Sequence, residues 1–73
     1  MIKIKLKQLL AQRAYDGERM TLVELAEQTG ISRTTLQRIA NTPGHSTTTE
    51  HIDKLCKALN CNLNDLIEFS QDE

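Results

Sequence analysis

The apolar side chains fall into short periodic segments divided by turn formers. Leu6, Leu9 and Leu10 recur at helical spacing with Ile2 one turn earlier, which predicts a helix over about residues 4–14. Ile2, Ile4 and Leu6 also alternate with lysines, so a short strand at residues 2–6 stays open beside that helix. "YDGER", residues 15–19, reads as a turn carrying Gly17. Leu22, Leu25, Ala26 and Thr29 form the stripe of a second helix, about 22–29. Thr21 precedes it with Glu24 three residues on, so each side chain is placed to satisfy an orphan amide of the first turn. Gly30 supplies the left-handed conformation that ends a helix at little cost. Ser32 is placed to cap a third helix, about 33–40, with Leu36, Ile39 and Ala40 as its narrow apolar edge.

Pro43 and Gly44 stop that helix, and "NTPGHST", residues 41–47, reads as a loop. Thr47 with Glu50 predicts a second capping box, opening a fourth helix over about 48–59. Its Ile52, Leu55, Cys56 and Leu59 stand at i, i+3, i+4 and i+7, the clearest amphipathic signal in the chain. Asn60 is a left-handed stop, and Asn62 caps a last helix, about 63–69, with Leu63, Leu66 and Ile67 pointing inward. Phe69 reads either as core or as part of a contact surface. The expected fold is all-α, five compact helices in a single domain spanning residues 1–73.

With 73 residues, the core lies near the lower limit for independent folding. Tyr15 and Phe69 are the only aromatics, so that core must be built from leucine and isoleucine. No apolar run approaches the roughly 20 residues of a membrane span, and the N-terminus lacks the features of a secretory signal. A cytoplasmic location without membrane association is expected. The net charge of −1 conceals a division. Residues 1–40 hold seven bases against four acids, net +3; residues 41–73 hold two against six, net −4. Such polarity allows one basic face, suited to phosphates, and one acidic face.

Cys56 and Cys61 are expected to be reduced thiols, Cys56 a small core residue. With His45 and His51 they make four imaginable ligands, but the spacing matches no common zinc pattern. No metal, cofactor or small-molecule ligand is expected.

The third helix carries the most distinctive chemistry. Opposite its apolar edge, Thr34, Gln37, Arg38 and Asn41 lie at i, i+3, i+4 and i+7, with Arg33 beside them. This stripe contains no acid, whereas ordinary solvated helices mix glutamate with lysine for the sake of stabilising pairs. Arginine can pair with guanine, glutamine or asparagine with adenine, and a threonine methyl can meet that of thymine. Two helices joined through Gly30 by a turn of three to four residues pack at a steep angle, leaving the second helix protruding. A helix about 10–12 Å across fits the major groove.

"TLVELAEQTGISRTTLQRIAN" resembles the helix-turn-helix of the Cro/CI-type, lambda-repressor-like (XRE) family of DNA-binding regulators. Leu25, Ala26, Gly30, Ile31, Leu36 and Ile39 match that family's buried positions. "STTTEHIDKLCKALNCNLNDLIEF" looks like its fourth and fifth helices, so the resemblance covers roughly residues 4–69. It implies a lambda-repressor-like fold with a central helix-turn-helix. It also implies base contacts from Arg33, Thr34 and Arg38, with Gln37 as a weaker candidate. Phosphate contacts are implied for Thr21, Ser32 and Asn41, and for the loop at His45, Ser46 and Thr47. The implied partner is double-stranded DNA, bound by a homodimer, and the implied role is transcriptional regulation, most simply repression.

The sequence departs from the family pattern at Leu22, where members often carry a phosphate-gripping glutamine, and in a loop after the third helix without lysine or arginine. Phosphate-driven affinity is therefore expected to be modest and salt-dependent, with Lys3, Lys5, Lys7 and Arg13 as possible compensation. Two patches suit a dimer contact: the surface around Leu63, Ile67 and Phe69, or the "IKIK" segment pairing with its own copy. The acidic half suits a rival reading, a protein-interaction module of the same fold, as in an antitoxin or repressor partner. An enzyme is not expected, because catalysis needs convergent groups in a cleft and a small helical bundle has little concavity.

Overall fold

The computed structural model describes residues 1–42, 44 and 46–71. In chain order, the elements are β1 (Ile2–Ile4), α1 (Leu6–Tyr15), α2 (Leu22–Thr29), α3 (Arg33–Asn41), α4 (Thr49–Leu59), α5 (Leu63–Leu66) and β2 (Ile67–Phe69). The all-α expectation is thus corrected: β1 and β2 form a two-stranded antiparallel sheet. Its register pairs Ile2 with Phe69, Lys3 with Glu68 and Ile4 with Ile67. Backbone bonds extend the ladder at both ends, from Lys5 N–H to the Leu66 carbonyl (2.6 Å) and from Ser70 N–H to the Met1 carbonyl (2.8 Å).

The first helix therefore starts at residue 6 rather than 4. A strand lets Ile4 reach the core while its backbone is satisfied by β2. The last helix stops at Leu66 instead of residue 69, because Ile67 turns extended (φ −126°, ψ 157°) to enter the sheet. Only Leu66 of the three expected inward residues is fully buried. Ile67 is half-buried and Leu63 is 54% exposed, since a single turn of helix presents one apolar position to the core. Phe69, 67% exposed, is not core.

The core consists of Ile4, Leu6, Leu25, Ile31, Leu36, Ile39, Leu55, Leu59 and Leu66, leucine and isoleucine throughout. α2 packs against both α3 and α4, α1 against α3 and α5, and α4 against α5. Each helix end has a local cause. Thr21 and Glu24 form the reciprocal box at the start of α2. Gly30 (φ 76°) ends that helix with its N–H on the Ala26 carbonyl, and Asn60 (φ 51°) ends α4. The Asn62 N–H donates to Asp65 Oδ2 at 3.2 Å across the first turn of α5.

The start of α4 differs from the expected box at Thr47 and Glu50. Thr48 is the cap, its hydroxyl accepting from the His51 N–H at 3.1 Å. Thr47 Oγ1 sits 3.3 Å from His51 Nδ1, and the Glu50 carboxylate pairs with Lys54 at 3.8 Å. Three consecutive threonines can each cap, and the helix begins after the second.

Candidate nucleic-acid interface

α2, the Gly30 turn and α3 are locked by one buried hydroxyl. Thr29 Oγ1 donates to the Leu25 carbonyl at 2.7 Å and accepts from the Ile31 N–H at 3.2 Å. Thr29 is the one buried polar residue among those described, and it ties the last turn of α2 to the turn that launches α3. Ile31 is buried behind it, so the direction in which α3 leaves is set by packing as well as by Gly30. Ser32 then opens α3, its hydroxyl accepting from the Thr35 N–H at 3.2 Å and donating to Thr35 Oγ1 at 2.8 Å.

With Leu36 and Ile39 at zero exposure, the opposite flank of α3 must face outward. Arg33, Thr34, Gln37, Arg38 and Asn41 are all exposed. Among the described residues, neither Arg33 nor Arg38 forms an ion pair. Their charges are thus available to an external anion, and residues 28–49 contain no acid to oppose them. The sequence-predicted base-reading set occupies one continuous helical face.

The predicted phosphate-binding set is more scattered. Ser32 and Asn41 are exposed at the two ends of α3. Thr21 is exposed at the start of α2, but the Glu24 carboxylate lies 3.2 Å from its hydroxyl and 3.4 Å from its N–H. A phosphate approaching the amides of α2 therefore meets a negative charge already seated at that end. Ser46 is exposed and Thr47 half-buried; both line a groove of about 430 Å³ between the start of α4 and the sheet, where Met1, Ile2, Ile4 and Ile67 form the opposite wall. His45 lies outside the described residues.

Of the four bases named as compensation, the fold leaves one well placed. Lys7 is exposed and, with Gln8 and Ala11 of α1, borders a shallow groove whose other side is Ala40 and Asn41 at the end of α3. Lys3 lies opposite Glu68 in the sheet, Lys5 is half-buried, and Arg13 pairs with Glu18 at 3.4 Å. Gln8 shares this groove with Asn41, a neighbour that the sequence does not announce. Nothing in its local spacing marks it, because its position beside Asn41 depends on the packing of α1 against α3.

No cluster of three or more potential metal-ligating side chains occurs among the described residues, and no helix there is long and apolar enough to cross a membrane.

This geometry agrees with comparisons to known proteins. The family model for the Cro/C1-type helix-turn-helix DNA-binding domain matches residues 5–72. An uncharacterised HTH-type transcriptional regulator of Bacillus subtilis (strain 168), YozG, is 31% identical over 72 residues, covering 99% of this chain and 80% of that protein. A crystal structure of a provisionally assigned DNA-binding protein from Bacteroides fragilis superposes with a TM-score of 0.74 at 28% identity. That match covers 93% of this chain and all of the other. The placement of α2 and α3 around the Gly30 turn and the match along nearly the whole sequence lead to one conclusion: the chain belongs to the Cro/C1-type helix-turn-helix DNA-binding domain family.

Proposed function

We propose that the protein is a sequence-specific regulator of transcription that binds double-stranded DNA as a homodimer and represses by occupying a promoter. The observation that carries this reading is the exposed, acid-free face of α3, with two arginines that form no ion pair among the described residues, opposite the fully buried Leu36 and Ile39. In the proposed complex α3 lies in the major groove. Arg33 and Arg38 read guanine edges, Thr34 meets a thymine methyl, and Gln37 reaches a base or the adjoining backbone. Ser32, Asn41 and Lys7 hold phosphates beside it, with Thr21, His45, Ser46 and Thr47 contributing on the flanking strand.

Dimerisation follows from how little one copy can read. Two half-sites in register are about 34 Å apart, and the longest dimension of the chain is 32 Å, so two copies can meet while each occupies a groove. The contact surface we favour centres on Ile2 and Phe69, which are 59% and 67% exposed. Ile2 and Phe69 are cross-strand partners, so their side chains emerge together. The open strand edges are less suitable. Antiparallel self-pairing centred on β1 would set Lys3 against Lys3, and centred on β2 would set Glu68 against Glu68.

The test is selection of bound sequences from random duplexes, followed by Arg38→Ala. A gapped inverted repeat is expected for the wild type, with the preference relaxed at one position per half-site in the variant and the fold unchanged. Binding and sequence preference that survive Arg38→Ala intact would remove α3 as the reader. If random duplex DNA shows no salt-sensitive retention, the protein-interaction reading replaces this one.

A further inference from the structure

The C-terminal end of α4 closes in a way that brings two sulfurs together. The Cys61 N–H donates to the Cys56 carbonyl at 3.1 Å, and the Asn60 N–H to the Lys57 carbonyl at 3.3 Å, with Asn60 left-handed (φ 51°, ψ 51°). This pair of hydrogen bonds around a left-handed residue is frequently accompanied by contact between the side chains at its two outer positions, and here a side-chain hydrogen bond joins Cys61 to Cys56. In this kind of helix end those positions often hold an apolar pair. Here both are cysteines, free and half-buried, so small reagents can reach them. The 3.1 Å bond also keeps the two backbones within the span of a disulfide, whose Cα atoms stand about 4.4–6.8 Å apart.

We propose that Cys56 and Cys61 form a reactive dithiol site, converted to an intrachain disulfide by exchange with a low-molecular-weight disulfide. One chain thiolate attacks the small disulfide, forming a mixed disulfide and expelling a small thiolate. The second chain thiolate attacks the protein sulfur of that mixed bond and expels the other. Both cysteine sulfurs are oxidised, the small disulfide is reduced to two thiols, and the protons lost by the cysteines end on those thiols.

Burial, the charge of the neighbouring Cys56 and a hydrogen bond with it push the Cys61 thiol above its ordinary value; Asp65 adds to this, and the Arg13 guanidinium opposes it. The site lies at the C-terminal end of α4, opposite its Thr48 cap.

The test uses the full folded chain in a buffer of oxidised and reduced glutathione. Cleavage after Lys54 and Lys57 separates the two cysteines, so a crosslink shows as the Leu55–Lys57 tripeptide attached to the fragment beginning at Ala58. The expected result is loss of both titratable thiols, a mass lower by two hydrogen atoms, that joined fragment, and full reversal by reductant. In urea, the crosslinked share at the same buffer composition is expected to fall severalfold, because the folded corner supplies the proximity. Glutathione retained on separate cysteines, two thiols still free, chains linked to each other, or an equal crosslinked share in urea would each overturn the proposal.

Discussion

Replacing Glu24 by glutamine separates the two roles that meet at the start of α2. Glutamine preserves the reciprocal box, since its amide oxygen can still accept from Thr21, but it removes a negative charge. The carboxylate lies 3.2 Å from the Thr21 hydroxyl, so a phosphate bonded to that hydroxyl would stand roughly 5 Å from it. Two unit charges at about that distance in water repel by somewhat under 1 kcal/mol, a little less with salt present. Glu24→Gln should therefore tighten DNA binding by about fourfold per protomer at low salt, with the gain shrinking as salt rises. Folding should move the other way, losing about 0.3–1 kcal/mol because the helix start prefers an anion. Fluorescence anisotropy with a labelled duplex over a salt series measures the first effect, and urea unfolding of the free protein the second. Reduced stability with unchanged or weaker DNA binding would refute the reasoning: the start of α2 would then not face the phosphate backbone.

Three further perturbations follow from the geometry. Thr29→Val keeps the shape but leaves the buried Ile31 N–H without its acceptor, and should cost about 1–3 kcal/mol in urea unfolding. Thr48→Ala should cost about 1 kcal/mol through the lost cap, whereas Thr47→Ala should cost measurably less; thermal melts of the pair check which threonine starts α4. Phe69→Ser should weaken self-association in sedimentation equilibrium by at least about tenfold without unfolding the chain, because two-thirds of the ring is already in water.

The parts of the molecule readable in advance were those whose causes lie within a few residues. Thr21 with Glu24, Gly30, Ser32 and Asn60 each fix a helix end by contacts to their own turn, and all four stand where local chemistry put them. The outward face of α3 could be read in the same way, since burying Leu36 and Ile39 fixes where Arg33 and Arg38 must go. The sheet could not be settled so. The alternation of Ile2, Ile4 and Leu6 hinted at a strand, but its partner comes from the other end of the chain. "LNDLIEF" has the spacing of a helix until Ile67 is claimed by β1. Lys7 and Gln8 beside Asn41 are likewise products of packing between α1 and α3. The threonine run failed for another reason: Thr47 and Thr48 are chemically equivalent caps, and only the three-dimensional path of the loop chooses between them.

The ladder that closes on Met1 and Ser70 also decides how the fold responds to tension. Whatever is tethered ahead of Met1 and behind Ser70 departs from the same spot, on neighbouring antiparallel strands. A pull between those tethers peels the rungs apart singly, starting at Met1 and Ser70 and reaching Lys5 and Leu66 last, instead of shearing them all at once. The helices bear no load until that zipper has opened, so the sheet is the mechanical fuse of the protein.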